Sequence, residues 1–168
     1  PRITYSEAVE VIQAAQRKLQ AEGKLAADAP LMKWGDDIGG DEETLVASAY
    51  DRPVMVHRYP AEMKAFYFKK DPQDPRVALG CDMLAPEGYG EIIGCGQRED
   101  DLATLEAAIE HHQLPRESFE WYLDLRRYGS VPHAGFGLGF ERMLMFVTGV
   151  ANIRDVIPFA RTPGSADF

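Results

Sequence analysis

A glycine-rich run that ends in a charged pair offers the clearest chemistry in the chain. Gly135, Gly137 and Gly139 alternate with large apolar residues, and Glu141 and Arg142 follow at the start of an apolar run of helical length. Glycine lets a backbone approach a ligand closely. An arginine in an apolar helix needs an anionic partner, because burying its charge alone is costly. We therefore expect Arg142 to face either a carboxylate inside the protein, Glu141 included, or a phosphate from outside.

Two carboxylates in otherwise apolar, strand-like runs form a second candidate site. Asp82 and Glu91 lie near facing positions of successive runs, and a hairpin of this length would bring them together. Paired carboxylates suit Mg²⁺, which proteins often hold through one or two carboxylates plus substrate phosphates. The alternative is that each carboxylate pairs with an arginine, for which Arg98 and Arg142 are available.

Two further arginines stand where an element is expected to end. Arg98 follows the last strand-like run, and its rigid guanidinium matches a carboxylate through two parallel hydrogen bonds. It could bind a substrate carboxylate or cap the sheet with Glu99 or Asp100. Arg126 closes a predicted helix before Gly129, a position where a cation stabilises the helix dipole.

The elements that must position these residues follow from hydrophobic periodicity and from capping signals. Helices are predicted after Thr4, from Asp41, over 101–112, from Pro115 and after Gly139, the last of them buried on most sides because apolar residues fill both its faces. Strands are predicted over 53–59, 65–69, 77–84 and 90–96, and the short connections favour antiparallel neighbours.

Composition restricts the class of protein. The 168 residues suit one domain, with 45% hydrophobic and 27% charged residues, and no apolar run is long enough to span a bilayer, so no membrane partner is expected. A net charge of −9 argues against wide nucleic-acid coverage, although a local basic patch remains open. Two cysteines, Cys81 and Cys95, are too few for a disulfide scaffold and lack zinc spacing, which favours a cytoplasmic location.

Motif content adds a resemblance to a known family. Residues 135–142 resemble motif 3 of the class II aminoacyl-tRNA synthetases. Five other segments narrow the resemblance to asparaginyl-tRNA synthetases of the bacterial type. These segments are residues 64–67, 90–94, 97–99, 121–135 and 153–159. The resemblance extends over essentially all of 1–168. It implies an α+β fold, with an antiparallel sheet flanked by helices.

The resemblance also implies an activity. Members of this family join asparagine to ATP as asparaginyl-adenylate and transfer the asparaginyl group to tRNA(Asn), using Mg²⁺ and acting as homodimers. By resemblance, Arg142 is a catalytic residue that binds the ATP phosphate tail and stacks near adenine. Gly139, Phe140 and Glu141 shape that ATP pocket.

The remaining roles implied by the resemblance concern the metal and the amino acid. Glu91 is the second catalytic residue, and it holds Mg²⁺ on the phosphates with Asp82 as helper. Arg98 binds the α-carboxylate of the substrate. Arg126 replaces an apolar residue of the aspartyl relatives, so it is expected to read the side-chain amide oxygen of asparagine.

The chain departs from the family pattern in two ways. It has Cys95 and Gly96 where the family usually has glycine and serine, so a thiol either crowds the pocket or fills a gap in the core. The anticodon-binding barrel, motif 1 and the motif 2 arginine are not among the 168 residues, and we expect them to precede Pro1. On this interpretation 1–168 is the carboxy-terminal part of the catalytic domain and is inactive alone. The alternatives are an aspartyl-tRNA synthetase, an asparagine-synthetase-like paralogue, and a non-catalytic regulator that binds an amino acid or adenylate.

Overall fold

The structure, a computed structural model, describes residues 1–165. The strands are β1 Arg2–Thr4, β2 Val54–His57, β3 Lys70–Asp71, β4 Asp74–Ala78, β5 Gly80–Ala85, β6 Gly90–Gln97 and β7 Ala134–Leu138. The α-helices are α1 Tyr5–Ala21, α2 Gly40–Ala47, α3 Leu102–His111, α4 Glu120–Arg127 and α5 Phe140–Thr148. Short 3-10 turns cover Ala61–Met63, Arg116–Phe119 and Ile153–Val156.

A five-stranded sheet in the order β1-β2-β5-β6-β7 carries the fold. Strand β1 runs parallel to β2, and the other neighbours are antiparallel. A parallel pair needs a crossover, which α1 and α2 supply between β1 and β2. The expected antiparallel sheet is thus confirmed from β2 to β7, while β1 makes the whole sheet mixed. Strands β3 and β4 form a separate small hairpin.

The first helix begins where its capping signal predicts. The Thr4 side chain accepts a hydrogen bond from the Glu7 backbone N–H, and the Glu7 side chain accepts one from the backbone N–H of Thr4. These reciprocal bonds satisfy donors that a helix start leaves without partners. The inner face of α1, including Tyr5 and Ile12, shares a core with the buried side chain of Val56 in β2.

A second, smaller core lies between α3 and α4. Leu105 and Ile109 of α3 pack with Leu123 of α4, and Phe66 and Phe119 extend this cluster with ring centroids 5.1 Å apart. The predicted helix over 101–112 is confirmed. The helix predicted from Pro115 instead starts as a 3-10 turn and becomes α-helical only at Glu120.

Two of the four strand predictions are wrong in detail. No strand forms over 65–69, where the backbone turns and only Phe68 makes a single bridge, to Arg98. The predicted strand 77–84 breaks at Leu79, because β4 pairs with β3 whereas β5 belongs to the main sheet. Conversely, the glycine run 134–138, to which no element was assigned, is the edge strand β7.

Helix α5 is less buried than its sequence predicts. None of its residues is buried, and the side chains of Phe140 and Val147 are 64% and 67% exposed. Within 1–165, α5 contacts mainly β6 and the turn Ile153–Val156, so one apolar side stays uncovered. The helix ends at Gly149, whose φ of 73° lies in the left-handed region that glycine adopts readily. Every helix among the described residues is too short or too polar to cross a lipid bilayer.

Candidate functional site

Two rows of cross-strand neighbours on one face of the sheet form the floor of the candidate site. Each row takes one residue from β5, one from β6 and one from β7. The first row is Gly80, Gly96 and Gly135, and the second is Asp82, Gly94 and Gly137. The rows are two residues apart, about 7 Å along each strand. Groups bound above them are therefore close neighbours.

The first row is glycine because large groups lie directly on its backbone. A Cβ on Gly96 would come within 2.2 Å of the Phe68 ring and 3.0 Å of the Leu79 carbonyl oxygen. A Cβ on Gly135 would come within 3.0 Å of Nη2 of Arg98. The missing side chains therefore make room for an aromatic ring and a guanidinium group.

The second row carries the two carboxylates that the sequence predicts to be close. A Cβ on Gly94 would lie 2.7 Å from Oε1 of Glu91 and 3.6 Å from Oδ1 of Asp82. The register shifts between Met83 and Leu84, which pairs Leu84 with Glu91 and leaves one extra residue in β6. Such a bulge re-aims a side chain, and here it brings Glu91 to the face of Asp82. The two are diagonal rather than directly facing neighbours.

A cavity of about 350 Å³ opens above the second row. Its charged lining consists of Glu43 from α2, Glu91 from β6 and Arg142 from α5, and its other lining residues are Ile92, Gly94, Gly137 and Gly139. Oε2 of Glu43 accepts a hydrogen bond from the backbone N–H of Glu91 at 3.1 Å, which ties α2 to the bulge. A Cβ on Gly137 would meet no atom within 4 Å, so this part of the floor is open.

Arg142 borders this cavity as an exposed side chain rather than a buried one, and it has no ion pair within residues 1–165. Its Nη1 donates to the carbonyl oxygen of Tyr89 at 3.2 Å, and its aliphatic part passes within 3.5 Å of the position that a Cβ on Gly139 would take. Across residues 1–165, no carboxylate oxygen lies within 4.0 Å of its guanidinium group, so the internal partner that the sequence left open, Glu141 included, is not present. The remaining donors of this cation are available to an anionic ligand.

The two cavity carboxylates are perturbed by burial. Burial raises the pKa of Glu91, the charge of Asp82 raises it further, and Lys64 partly offsets the rise. Burial also raises the pKa of Glu43, although the hydrogen bond from the Glu91 N–H and the charge of Arg142 each lower that pKa in part. Both groups resist ionisation because their charges are partly desolvated and lie near other carboxylates. A cation in the cavity would favour the ionised form of both.

Asp82 is paired, but with a lysine rather than an arginine. Lys64 Nζ lies 2.5 Å from Oδ2 of Asp82, and the two side chains are only 17% and 10% exposed. The same ammonium group is 3.9 Å from the centroid of the Tyr59 ring, a favourable cation–π distance. The expectation that arginines neutralise Asp82 and Glu91 is therefore wrong for both carboxylates.

The donor set fits a hard cation that is completed by a ligand. Glu91 has no cationic nitrogen within 4.0 Å in the described part of the chain, and its carboxylate lies beside Glu43 and Asp82. No preformed group of three or more metal-ligating side chains occurs among residues 1–165. Mg²⁺ commonly binds through one or two carboxylates and the phosphates of a substrate. This arrangement matches that mode.

Arg98 lies above the first row, in front of a second cavity of about 260 Å³. Its guanidinium carbon is 4.7 Å from the centroid of the Tyr67 ring and 5.2 Å from that of Phe68. Nη1 of Arg98 is buried and has no hydrogen-bond partner among the described residues. A buried charged donor without a partner is costly, so the site is suited to an anionic group. The other lining residues are Phe66, Tyr67, Phe119, Trp121 and Tyr122.

The alternative role of Arg98, capping the sheet with Glu99 or Asp100, is wrong. Both carboxylates pair with Lys69, whose Nζ lies 3.4 Å from Oε1 of Glu99 and closer still to Asp100. Glu99 also accepts hydrogen bonds from the backbone N–H groups of Asp100 and Asp101. The guanidinium group of Arg98 is thus left to the cavity.

Arg126 is buried in a network rather than exposed at the end of its helix. Its Nε donates to the Glu99 carbonyl oxygen at 2.9 Å, and Nη1 donates to the Tyr122 carbonyl oxygen at 3.3 Å. Nη2 contacts the Tyr122 hydroxyl at 3.0 Å and Nε2 of His133 at 3.3 Å. Since a guanidinium group has five N–H donors, one on Nη1 remains for a ligand.

Four predicted site residues line neither the 350 Å³ nor the 260 Å³ cavity, and two important residues escaped sequence reasoning. Phe140 is largely exposed, Glu141 also lies outside both linings, and Asp82 and Arg126 are buried beside the cavities rather than in their walls. Glu43 was missed because an acidic first turn of a helix is common on any surface, and only the fold places it beside Glu91. Lys64 belongs to the segment 64–67 that carries the resemblance, but nothing in the sequence indicates that it pairs with Asp82.

The unusual cysteine does not crowd the carboxylate cavity. Cys95 alternates with Gly94 along β6, and it lines a different cavity together with Phe136 and Cys81. Of the two expectations for this thiol, obstruction of the cavity that holds Glu91 is therefore wrong.

Comparisons with known proteins place this architecture in a family. The family model described as tRNA synthetases class II (D, K and N) matches residues 1–163. The chain therefore belongs to the class II tRNA synthetases of this D, K and N family. It spans about a third of the length of the curated relatives that it matches, with 36% of the relative covered in one case.

The relatives indicate a branch within that family. The asparagine–tRNA ligase of Sorangium cellulosum is 60% identical over 164 residues, which cover 96% of this chain and 36% of the relative. The asparaginyl-tRNA synthetase from Pyrococcus horikoshii complexed with asparaginyl-adenylate is 49% identical with a TM-score of 0.85, over 99% of this chain and 35% of that one. The aspartyl tRNA synthetase from Entamoeba histolytica is 28% identical with a TM-score of 0.80, and the match covers 98% of this chain and 32% of that one.

Proposed function

We propose that the intact protein carrying this chain is an asparagine–tRNA ligase. It would join asparagine to ATP as asparaginyl-adenylate and transfer the asparaginyl group to tRNA(Asn). The identity to asparagine–tRNA ligases, 60% in one relative against 28% to an aspartyl enzyme, supports asparagine rather than aspartate as the substrate. Residues 1–168 would form the carboxy-terminal part of the catalytic domain.

The observation that carries the proposal is the order of charged groups along one sheet face. Arg98 lies over the first row, whereas Glu91 and Asp82 lie over the second, about 7 Å further along the strands. Arg142 borders the cavity beyond them. Three charged groups thus follow one another along the sheet face: Arg98 to bind a carboxylate, the acidic side chains to bind a cation, and Arg142 to bind a phosphate. This order suits an amino acid placed against the α-phosphate of a nucleotide.

At the nucleotide end, Arg142 would bind the phosphate tail and contact the adenine. The hydrogen bond from its Nη1 to the Tyr89 carbonyl oxygen holds the side chain over Gly139, and its other N–H groups would donate to the phosphates. Gly139, which lacks a side chain, would let the backbone approach the ligand closely. Phe140 and Glu141 would shape the adenine pocket from the first turn of α5.

Carboxylates at the second row would hold Mg²⁺. Glu91 would be the principal ligand, because its carboxylate has no ion pair in the described structure. Asp82 and Glu43 would assist from either side, although Lys64 already offsets the charge of Asp82. When bound, Mg²⁺ would offset the negative charge of the phosphates.

At the amino-acid end, two arginines would select the substrate. The unpartnered Nη1 of Arg98 would donate to the α-carboxylate, and the aromatic walls of its cavity would strengthen that interaction by excluding water. Arg126 would offer its remaining Nη1 N–H to the side-chain amide oxygen of asparagine. Its bonds to Tyr122 and His133 would fix the orientation of that donor.

The reaction itself would need little from the protein beyond placement and charge. In adenylate formation the substrate carboxylate attacks the α-phosphate and pyrophosphate leaves, without a covalent protein intermediate. Positioning and electrostatic stabilisation supply most of such a rate enhancement. The arginines and carboxylates of the sheet face are suited to both tasks. The binding of tRNA(Asn), a homodimer and a cytoplasmic location are further parts of the proposal, and they rest on family resemblance.

Pyrophosphate exchange tests the proposal directly. The intact protein should exchange labelled pyrophosphate into ATP in the presence of asparagine, and aspartate should not support exchange. Exchange with aspartate alone would assign the protein to the aspartyl or asparagine-synthetase-like branch. Calorimetric binding of asparagine or its adenylate without exchange would instead identify a non-catalytic regulator.

A further inference from the structure

A pair of cysteines lies on the face of the sheet that points away from the candidate site. Cys81 of β5 and Cys95 of β6 are directly opposite one another in the antiparallel register. Their neighbours Asp82 and Gly94 form the second row on the other face. The thiols are therefore separated from the carboxylate cavity by the thickness of the sheet.

The spacing of this pair suits a disulfide. Residues directly opposite one another in an antiparallel sheet have Cα atoms about 4.5–5.5 Å apart. Disulfides usually span Cα separations of about 4.4–6.8 Å. Alternation along the strands sends both side chains to the same face, because the two residues form one registered pair. A bond between the sulfurs therefore needs no change of register.

Small reagents can reach both sulfurs. Cys81 and Cys95 are free thiols of intermediate burial, and they line a cavity of about 530 Å³ whose other walls include Ile93 and Phe136. Once one of these thiols has formed a mixed disulfide with a reagent, the thiol directly opposite is placed to resolve it.

We propose that Cys81 and Cys95 are a redox-active dithiol that a low-molecular-weight disulfide oxidises to a cross-strand disulfide. The sulfur of one cysteine attacks the reagent, breaks its S–S bond and releases one reagent thiol. The sulfur of the other cysteine then attacks the mixed disulfide and displaces the second reagent thiol. The two cysteines lose two electrons and two protons, and the reagent gains them as two thiols.

Peptide mapping tests the proposal at the two residues concerned. The reduced, intact protein is treated with oxidised glutathione, and the remaining thiols are then alkylated. No lysine or arginine lies between the cysteines, so trypsin releases both in the peptide 77–98. We expect this peptide unalkylated and lighter by two hydrogen atoms. A further digestion at Glu87 and Glu91 should leave its cysteine-containing pieces joined until a reductant is added.

Single-cysteine variants provide the matched controls. Cys81→Ser should stop at a stable mixed disulfide on Cys95, because the resolving sulfur is gone. Cys95→Ser should likewise stop at a mixed disulfide on Cys81, because no second thiol remains to displace the glutathione. Two alkylated thiols in the wild-type peptide, a persistent glutathione adduct, or a disulfide only between separate molecules would each overturn the proposal. The result is independent of pyrophosphate exchange, so failure of either proposal leaves the other testable.

Discussion

The two glycine rows predict opposite behaviour for two substitutions that are chemically identical. In Gly96→Ala the new methyl would meet the Phe68 ring at 2.2 Å and the Leu79 carbonyl oxygen at 3.0 Å. The ring could rotate away, but the carbonyl belongs to the backbone, so the strain is only partly relieved. Overpacking of this kind costs about 1–3 kcal/mol, and we expect the upper half of that range. For a chain of this size the Tm should fall by roughly 4–12 °C.

Gly137→Ala is the matched control on the same face. Its methyl would meet no atom within 4 Å, so the Tm should stay the same or rise slightly, because the unfolded chain loses freedom. The methyl would instead occupy the open floor of the 350 Å³ cavity, and the affinity for Mg-ATP should fall about tenfold, or about 1.4 kcal/mol. Thermal unfolding by circular dichroism and calorimetric titration measure the two effects. Equal Tm values for the two alanine variants would refute the proposed packing over the rows.

Three further predictions concern the charged groups and the extent of the chain. Asp82→Asn should lower the free energy of unfolding in urea by about 1–3 kcal/mol, because Lys64 loses its only ion-pair partner within 1–165. The double variant Lys64→Met/Asp82→Leu should recover the lost stability, and an unchanged free energy in Asp82→Asn would contradict the pairing. The raised pKa of Glu91 means that the ligand-free protein loses stability as pH rises from the ordinary glutamate pKa to the raised value. Glu91→Gln should remove that loss, and parallel pH–stability curves for both proteins would argue against it. The 168 residues alone should show no asparagine-dependent pyrophosphate exchange, because the motif 2 arginine is not among them. Exchange above the level of a protein-free blank would show that this arginine is not needed.

Sequence reasoning worked best where the signal was local. The capping box of Thr4 and Glu7 predicts the start of α1, because both partners lie within one turn. Closeness of Asp82 and Glu91 was also predictable, since a hairpin restricts which residues can meet. The bulge that aims Glu91 was not predictable, because it arises from the pairing of whole strands rather than from a residue type.

Other errors arose where tertiary packing determined the outcome. The aromatic run 65–69 has high strand propensity, but Phe66 enters the α3–α4 core while Phe68 lies on Gly96, so its backbone forms turns. Glu43 is distant from the cavity residues in sequence and reaches them only because α2 packs against β6. The burial of α5 was overestimated, because apolar composition shows that a helix face can be buried but not whether another element packs against it.

Nucleotide affinity of an Arg142 variant tests the central claim most directly. Calorimetric titration of the intact protein with Mg-ATP would compare Arg142→Gln with Arg127→Gln, a control whose guanidinium group pairs with Glu120 at 3.1 Å outside the cavities. Loss of a charged hydrogen bond to phosphate should weaken binding by about 1.5–3 kcal/mol, at least tenfold, in Arg142→Gln, while Arg127→Gln binds as the wild type does. Wild-type affinity in Arg142→Gln would contradict the account.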